Sequence, residues 1–173
     1  MTVLRWTAQH GSVDVRGIPE PEGWEDPLTG LEGPDLWRRI LVTEVARATR
    51  YARALTVVVA EAEGVLELSD AWGVNAARHA LREAAQSLRR LTRTSDYAMR
   101  IGVTRFGLIL TETDEIAAIN LVERARELVP SALPRIGEGI RLSFGWASPL
   151  AGDSADTLVR RADARLMEDL LRK

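Results

Sequence analysis

The sequence predicts an α/β sandwich, one mixed β-sheet with helices packed on its faces. Three observations carry this expectation. Leu55-Thr-Val-Val-Val-Ala60 is a continuous apolar run rich in β-branched residues, the pattern of a strand buried on both faces. Tyr97-Ala-Met-Arg-Ile101 and Phe106-Gly-Leu-Ile-Leu110 bracket a short link, which is a hairpin signal. Segments with helical spacing separate these strands. The order reads helix, strand, helix, hairpin, helix, strand, helix.

Residues 1–25 are irregular, broken by Gly11, Gly17, Pro19, Pro21 and Gly23. They also carry Trp6 and Trp24, more apolar surface than a solvated tail needs. A tail packed on its own domain explains them, and a segment that docks a partner is the other reading. Asp26-Pro-Leu-Thr-Gly30 is turn chemistry. Pro34 suits a helix start, where its missing N–H costs little. The helix is predicted over about 35–51, with Leu36, Ile40, Val42, Val45 and Ala48 on its apolar face. After strand 55–60 a turn or short helix precedes a longer helix over about 74–91. The hairpin 97–110 follows, then a helix over about 115–128 and a strand over 140–146. Ser154 can cap a last helix whose apolar side holds Leu158, Ala162, Leu166 and Leu170. Trp37, Trp72 and Trp146 read as core or sheet-edge packing.

The 173 residues suit one domain with some extra length, and 46% of them are hydrophobic, so a proper core is expected. Twenty-three basic side chains nearly balance twenty-five acidic ones, which argues against a nucleic-acid binder driven by bulk charge. The one lysine is Lys173, so lysine catalysis has almost no candidate. Cysteine is absent, which excludes disulfides, thiolate nucleophiles and cysteine-ligated metals. His10 and His79 are far apart and form no metal-binding pair. No signal-peptide run or bilayer-length apolar stretch occurs, and a cytoplasmic protein without a membrane partner is expected.

Several landmarks occur together in one order: Asp26-Pro-Leu-Thr-Gly-Leu31, strand 55–60, Asp70 with Gly73, Arg93-Thr-Ser-Asp96, Arg100-Ile-Gly-Val-Thr-Arg-Phe106, Ser143-Phe-Gly145 and Ala162-Asp163. Over residues 26–173 this resembles the GGDEF domain, the diguanylate cyclase family. The resemblance implies a nucleotide-cyclase-like sandwich whose central mixed sheet has about five strands flanked by helices. In that family two GTP molecules condense to cyclic di-GMP by attack of a 3′-hydroxyl on an α-phosphate, assisted by divalent metal. The signature here is Gly102-Val103-Thr104-Arg105-Phe106. Val103 stands where a glycine admits phosphate, Thr104 replaces a metal-binding carboxylate, and Arg105 reverses a charge. Such a loop is not expected to hold Mg²⁺. The strand-end acids become Glu61-Ala-Glu63. The two guanine-reading positions align with Ser69 and Arg78, the late lysine with Leu170, and the Asn-Arg after the first turn with Gly33-Pro34. The resemblance therefore implies an inactive cyclase, with no catalytic residues and no metal.

Many members of the family also bind their product at an RxxD site five residues before the signature. Arg93-Thr-Ser-Asp96 stands at that spacing, and Arg124 aligns with a further arginine on the next helix. An arginine fork matches guanine O6 and N7 or a phosphate, and a carboxylate can accept from guanine N1 and N2. The resemblance thus implies a cyclic di-GMP receptor using Arg93, Asp96 and Arg124, with no cofactor and with dimerisation on ligand binding. The same residues have an ordinary reading. Arg93 can be a solvated helix end, Asp96 a turn cap and Arg124 a surface arginine. Two other functions remain open: a nucleotide-free interaction module with a protein partner, and a cyclase with altered chemistry using Glu61 and Glu63.

Overall fold

Val57, Val58 and Val59 have no solvent exposure, because the strand that holds them, β1 (Leu55–Glu63), lies inside the sheet with helices on both sides. The computed structural model describes residues 17–131 and 140–172. Their remaining elements are α1 (Pro34–Tyr51), α2 (Val65–Trp72), α3 (Val74–Leu91), β2 (Tyr97–Arg100), β3 (Arg105–Thr111), α4 (Glu115–Ser131), β4 (Arg141–Ala147) and α5 (Ala155–Leu171). The strand order is β2-β3-β1-β4. One core joins α2, α3 and α4 to one face of the sheet, and a second joins α1 and α5 to the other.

The expected mixed sheet of about five strands needs a correction of detail. The described sheet has four strands and every ladder in it is antiparallel. Parallel pairing among the described residues reduces to one bridge, from Glu32 to Met99 of β2. The chain does not extend that bridge because it folds on itself there. Gly33 and Asp35 donate their N–H groups back to Trp24 and Gly23, at 2.8 and 3.0 Å, and the helix starts at once.

The apolar face of α1 also differs from expectation. Trp37, Leu41, Glu44, Val45 and Ala48 are buried, Leu36 and Ile40 flank them, and Val42 is exposed. The run Ile40-Leu-Val42 permits more than one stripe. The rotation is set by Trp37, which lies over Gly107; a Cβ there would come 2.6 Å from the indole. Trp146 is half-buried at the edge strand, as expected, but Trp72 ends α2 in solvent.

Ser154 caps α5, accepting from the Thr157 N–H at 3.2 Å, and Leu158, Ala162 and Leu166 are buried beneath it. The same helix covers the free edge of β4. Asp169 accepts from the Phe144 N–H at 2.8 Å, and Arg165 donates to the Trp146 carbonyl at 3.0 Å. Residues 17–25 pack on the domain in part: Ile18 is in the core, while Trp24 is exposed and stacks under Arg39. Residues 1–16, with Trp6 and His10, lie outside the described residues. No helix among the described residues is long and apolar enough to cross a membrane.

Two carboxylates in this shell make stability depend on acid. Hydrogen bonding from Arg165 holds the Glu115 carboxyl below its ordinary 4.5, with help from the Arg165 charge and Trp146. The Leu150 N–H, then Arg161, holds Asp153 below 3.8. Both groups are easier to ionise in the folded chain. Their contribution is present above the ordinary carboxylate range and is lost as the pH falls through the depressed values. The expected result is a Tm that drops on acidification below about pH 4. Glu115→Gln should lower Tm at neutral pH and flatten that slope; an unchanged slope would remove Glu115 from the account.

Candidate functional site

The loop that joins β2 to β3, residues 101–104, carries the signature-like residues. Its geometry is set by backbone bonds. Ile101 N–H donates to the Arg105 carbonyl at 2.9 Å, and the Thr104 carbonyl accepts from Ala62 on β1 at 2.8 Å. Val103 turns its side chain against the core. Its carbonyl accepts from Arg100 Nε and Nη2, at 3.2 and 2.7 Å.

The strand register then places Glu61 opposite Arg105 and Ser143, and Glu63 opposite Arg141. Cross-strand neighbours of opposite charge meet. The Thr104 hydroxyl donates to Glu61, and Arg105 Nε lies 3.4 Å from its other oxygen. Arg105 also reaches Asp163 on α5, at 3.2 Å. Glu63 takes a two-pronged contact from Arg141, at 2.9 and 2.8 Å, and a bond from Ser143 Oγ. That contact raises the Arg141 pKa above its ordinary value. Both strand-end acids are therefore engaged by side chains of the same chain. Among the described residues no cluster of His, Asp or Glu is arranged to hold a metal.

Ser69 and Arg78, the two positions singled out in the sequence, lie on α2 and α3. Ser69 is buried on α2. Arg78, on α3, donates to the carbonyl of Gly17, and the next residue, Ile18, enters the core. The segment before the first turn is thus bound to the face of α3 where Arg78 stands.

Asp96 and Arg100 anchor the hairpin from its two ends. Arg100 is fully buried and pairs with buried Asp26 at 3.0 Å. Burial pushes the Arg100 pKa down while Asp26 pulls it up. Sequence reading noted both residues as landmarks without pairing them; the signal was a charged residue inside an otherwise apolar strand.

The three residues expected to hold a ligand fall into two kinds. Arg93 follows α3 and Arg124 lies on α4, a helix that packs beside α3. Both are exposed, and neither guanidinium has a partner among the described residues. Asp96 is different. It is 4% exposed, and its oxygens accept from the Arg93 N–H at 2.9 Å and the Thr111 N–H at 3.1 Å. It closes the turn that carries Arg93 and fastens that turn to β3. Asp96 thus closes the turn, and each of its oxygens keeps a lone pair for a further donor.

Comparison with known proteins agrees with this architecture. Residues 24–172 match the family model described as diguanylate cyclase, GGDEF domain. The chain is 30% identical over 145 residues to the diguanylate cyclase DosC of Escherichia coli, covering 82% of this chain and 32% of that protein. It is 26% identical over 144 residues to the response regulator PleD of Caulobacter vibrioides, covering 80% and 32%. The chain thus spans about a third of the length of these curated relatives. Among solved structures, the diguanylate cyclase SiaD of Pseudomonas aeruginosa, in complex with its activator SiaC, superposes with a TM-score of 0.78 at 27% identity, covering 84% of this chain and 57% of that one. The GGDEF domain of DgcB from Caulobacter crescentus, in complex with c-di-GMP, gives 0.78 at 23% identity, covering 85% and 90%.

Proposed function

The chain belongs to the diguanylate cyclase, GGDEF domain, family, and we propose that it is a member without cyclase activity that serves as a receptor for cyclic di-GMP. The observation that carries the first half is Arg105. Its guanidinium lies between Glu61 and Asp163, at 3.4 and 3.2 Å, and supplies the positive charge that a dication supplies to an acidic nucleotide site. A second cation would meet neutralised acids there. Arg141 does the same for Glu63. Base recognition is opposed by Arg78, bound to Gly17. Support for the second half is the pair of exposed arginines, Arg93 and Arg124, without side-chain partners among the described residues and each a planar fork suited to guanine or phosphate. The DgcB domain, solved with c-di-GMP, shows that this fold accommodates the ligand in a relative.

The test is a calorimetric titration of cyclic di-GMP into the chain, with GTP as control. Binding in the micromolar range or tighter is expected. Arg93→Ala or Arg124→Ala should weaken it at least about tenfold, the worth of one charge-assisted bond. A dimer in sedimentation only when ligand is present would support bridging of two copies. Incubation with GTP and Mg²⁺ or Mn²⁺ should yield no cyclic di-GMP. Turnover that Glu61→Ala abolishes would instead establish an enzyme. No heat with cyclic di-GMP would leave a protein-docking module, a reading consistent with the activator complex of SiaD and with the exposed Trp72.

A further inference from the structure

The outward side of α1 is basic and aromatic. Arg39, Val42, Ala46 and Arg50 are exposed and lie away from the side that buries Trp37, Leu41, Val45 and Ala48, as helical spacing requires. Arg38 and Arg47 are exposed beside them, and Arg53 follows just past the helix. The acids of α1 do not balance these charges. Asp35 pairs with Arg38 at 2.6 Å at the start of the helix, and Glu44, paired with Arg47 at 3.5 Å, is turned inward. Arg39 and Arg50 instead lie over aromatic rings, of Trp24 at 5.4 Å and of Tyr51 at 5.3 Å.

Trp24, Val42 and Tyr51 are each more than half exposed. One exposed apolar side chain means little, but these three accompany arginines along one helix. Trp and Tyr rings settle at the headgroup level of a bilayer, and a guanidinium is a fork matched to phosphate. Arg39 and Arg50 are about 16 Å apart along the helix, far enough to meet separate headgroups. The clefts beside α1 are lined by Ala48 and Arg53, not by Arg39, Val42 or Arg50, so this face is convex and suits a flat partner. A second copy related by a two-fold axis would set the face against itself and bring arginine to arginine.

We infer that the outward face of α1, together with Trp24, rests on an anionic lipid surface. Arg39 and Arg50 take lipid phosphates, and Trp24 and Tyr51 enter the headgroup layer. Peripheral attachment needs no bilayer-length apolar run, so the expectation of no membrane partner is revised. The helices α3 and α4, beside Arg93 and Arg124, pack on the opposite face of the sheet from α1, and attachment leaves them in solvent. The inference stands whether or not the chain binds a nucleotide.

The chain is sedimented with vesicles of equal parts phosphatidylglycerol and phosphatidylcholine, and with phosphatidylcholine alone. Binding to the anionic vesicles only, weakened by salt, is expected. Arg39→Glu with Arg50→Glu should lower partition at least about tenfold, because each arginine near an anionic surface is worth roughly fivefold. Trp24→Ala with Tyr51→Ala should lower it several-fold and leave the salt dependence in place. Brominated lipid should quench tryptophan emission more in the unmodified chain than in Trp24→Phe. All four positions are exposed, so each variant should keep its Tm, which shows that it is folded. No binding to the anionic vesicles overturns the inference, as does binding that the charge reversal leaves unchanged or equal binding to phosphatidylcholine alone. Polyglutamate that displaces the chain from vesicles at a lower charge concentration than the lipid would also overturn it and assign the face to an acidic protein.

Discussion

Arg100→Met is expected to cost about 3–5 kcal/mol of stability, the loss typical of breaking a buried ion pair from one side. Arg100 has no solvent exposure and Asp26 has 1%. Asp26 also accepts from the Thr29 N–H at 3.0 Å, so its position is fixed by the turn. Removing the guanidinium leaves that carboxylate buried and uncompensated. It also strands the carbonyls of Val103 and Pro19, which accept from Arg100 Nη2 at 2.7 and 2.8 Å. Arg100→Lys keeps the charge but cannot reach all these acceptors at once, and should lose an intermediate amount. The double variant Arg100→Met with Asp26→Asn should recover part of the loss, because the stranded charge is gone. Urea denaturation measures each. A loss below about 1 kcal/mol for Arg100→Met would mean that water reaches the pair in solution. The functional consequence is local. Arg100 joins residue 19, the first turn and the loop 101–104, so its loss should free the segment that lies against Arg78.

Gly145→Ala should destabilise by about 3 kcal/mol or more, the upper range for overpacking. A Cβ at Gly145 would fall on the Ala162 carbonyl and the Leu166 nitrogen, backbone atoms of α5 that cannot turn aside. Gly107→Ala meets the Trp37 indole instead, and a side chain can shift, so about 1–3 kcal/mol is expected there. Chemical denaturation ranks the two. The reverse order would show that α5 is not seated on β4 as described. Displacing α5 also moves Asp163 away from Arg105, now at 3.2 Å. If Gly145→Ala folds, its Arg105 is less restrained, and this is the variant in which metal binding is most worth measuring.

The elements themselves were legible because their causes are local. A β-branched run makes a strand, Ser154 caps a helix, and leucines at helical spacing face a core; none of these depends on a distant partner. The residues of the signature-like loop were equally legible, a threonine and an arginine within Gly102-Val103-Thr104-Arg105-Phe106. Docking decided the rest. The stripe of α1 was chosen by the space above Gly107, not by the three adjacent apolar residues that each could have faced inward. Spacing alone marks Asp96 as a candidate ligand group; only the return of β3 brings the Thr111 N–H to it from 15 residues away and holds it in the turn. Glu61, Arg105 and Asp163 meet only because the β1–β3 register sets the first two opposite one another and α5 lies close over the sheet. Asp26 and Arg100 are 74 residues apart. Local backbone preference reaches a few residues along the chain, so it specifies helices and strands. Which charge meets which depends on register and packing across the whole fold.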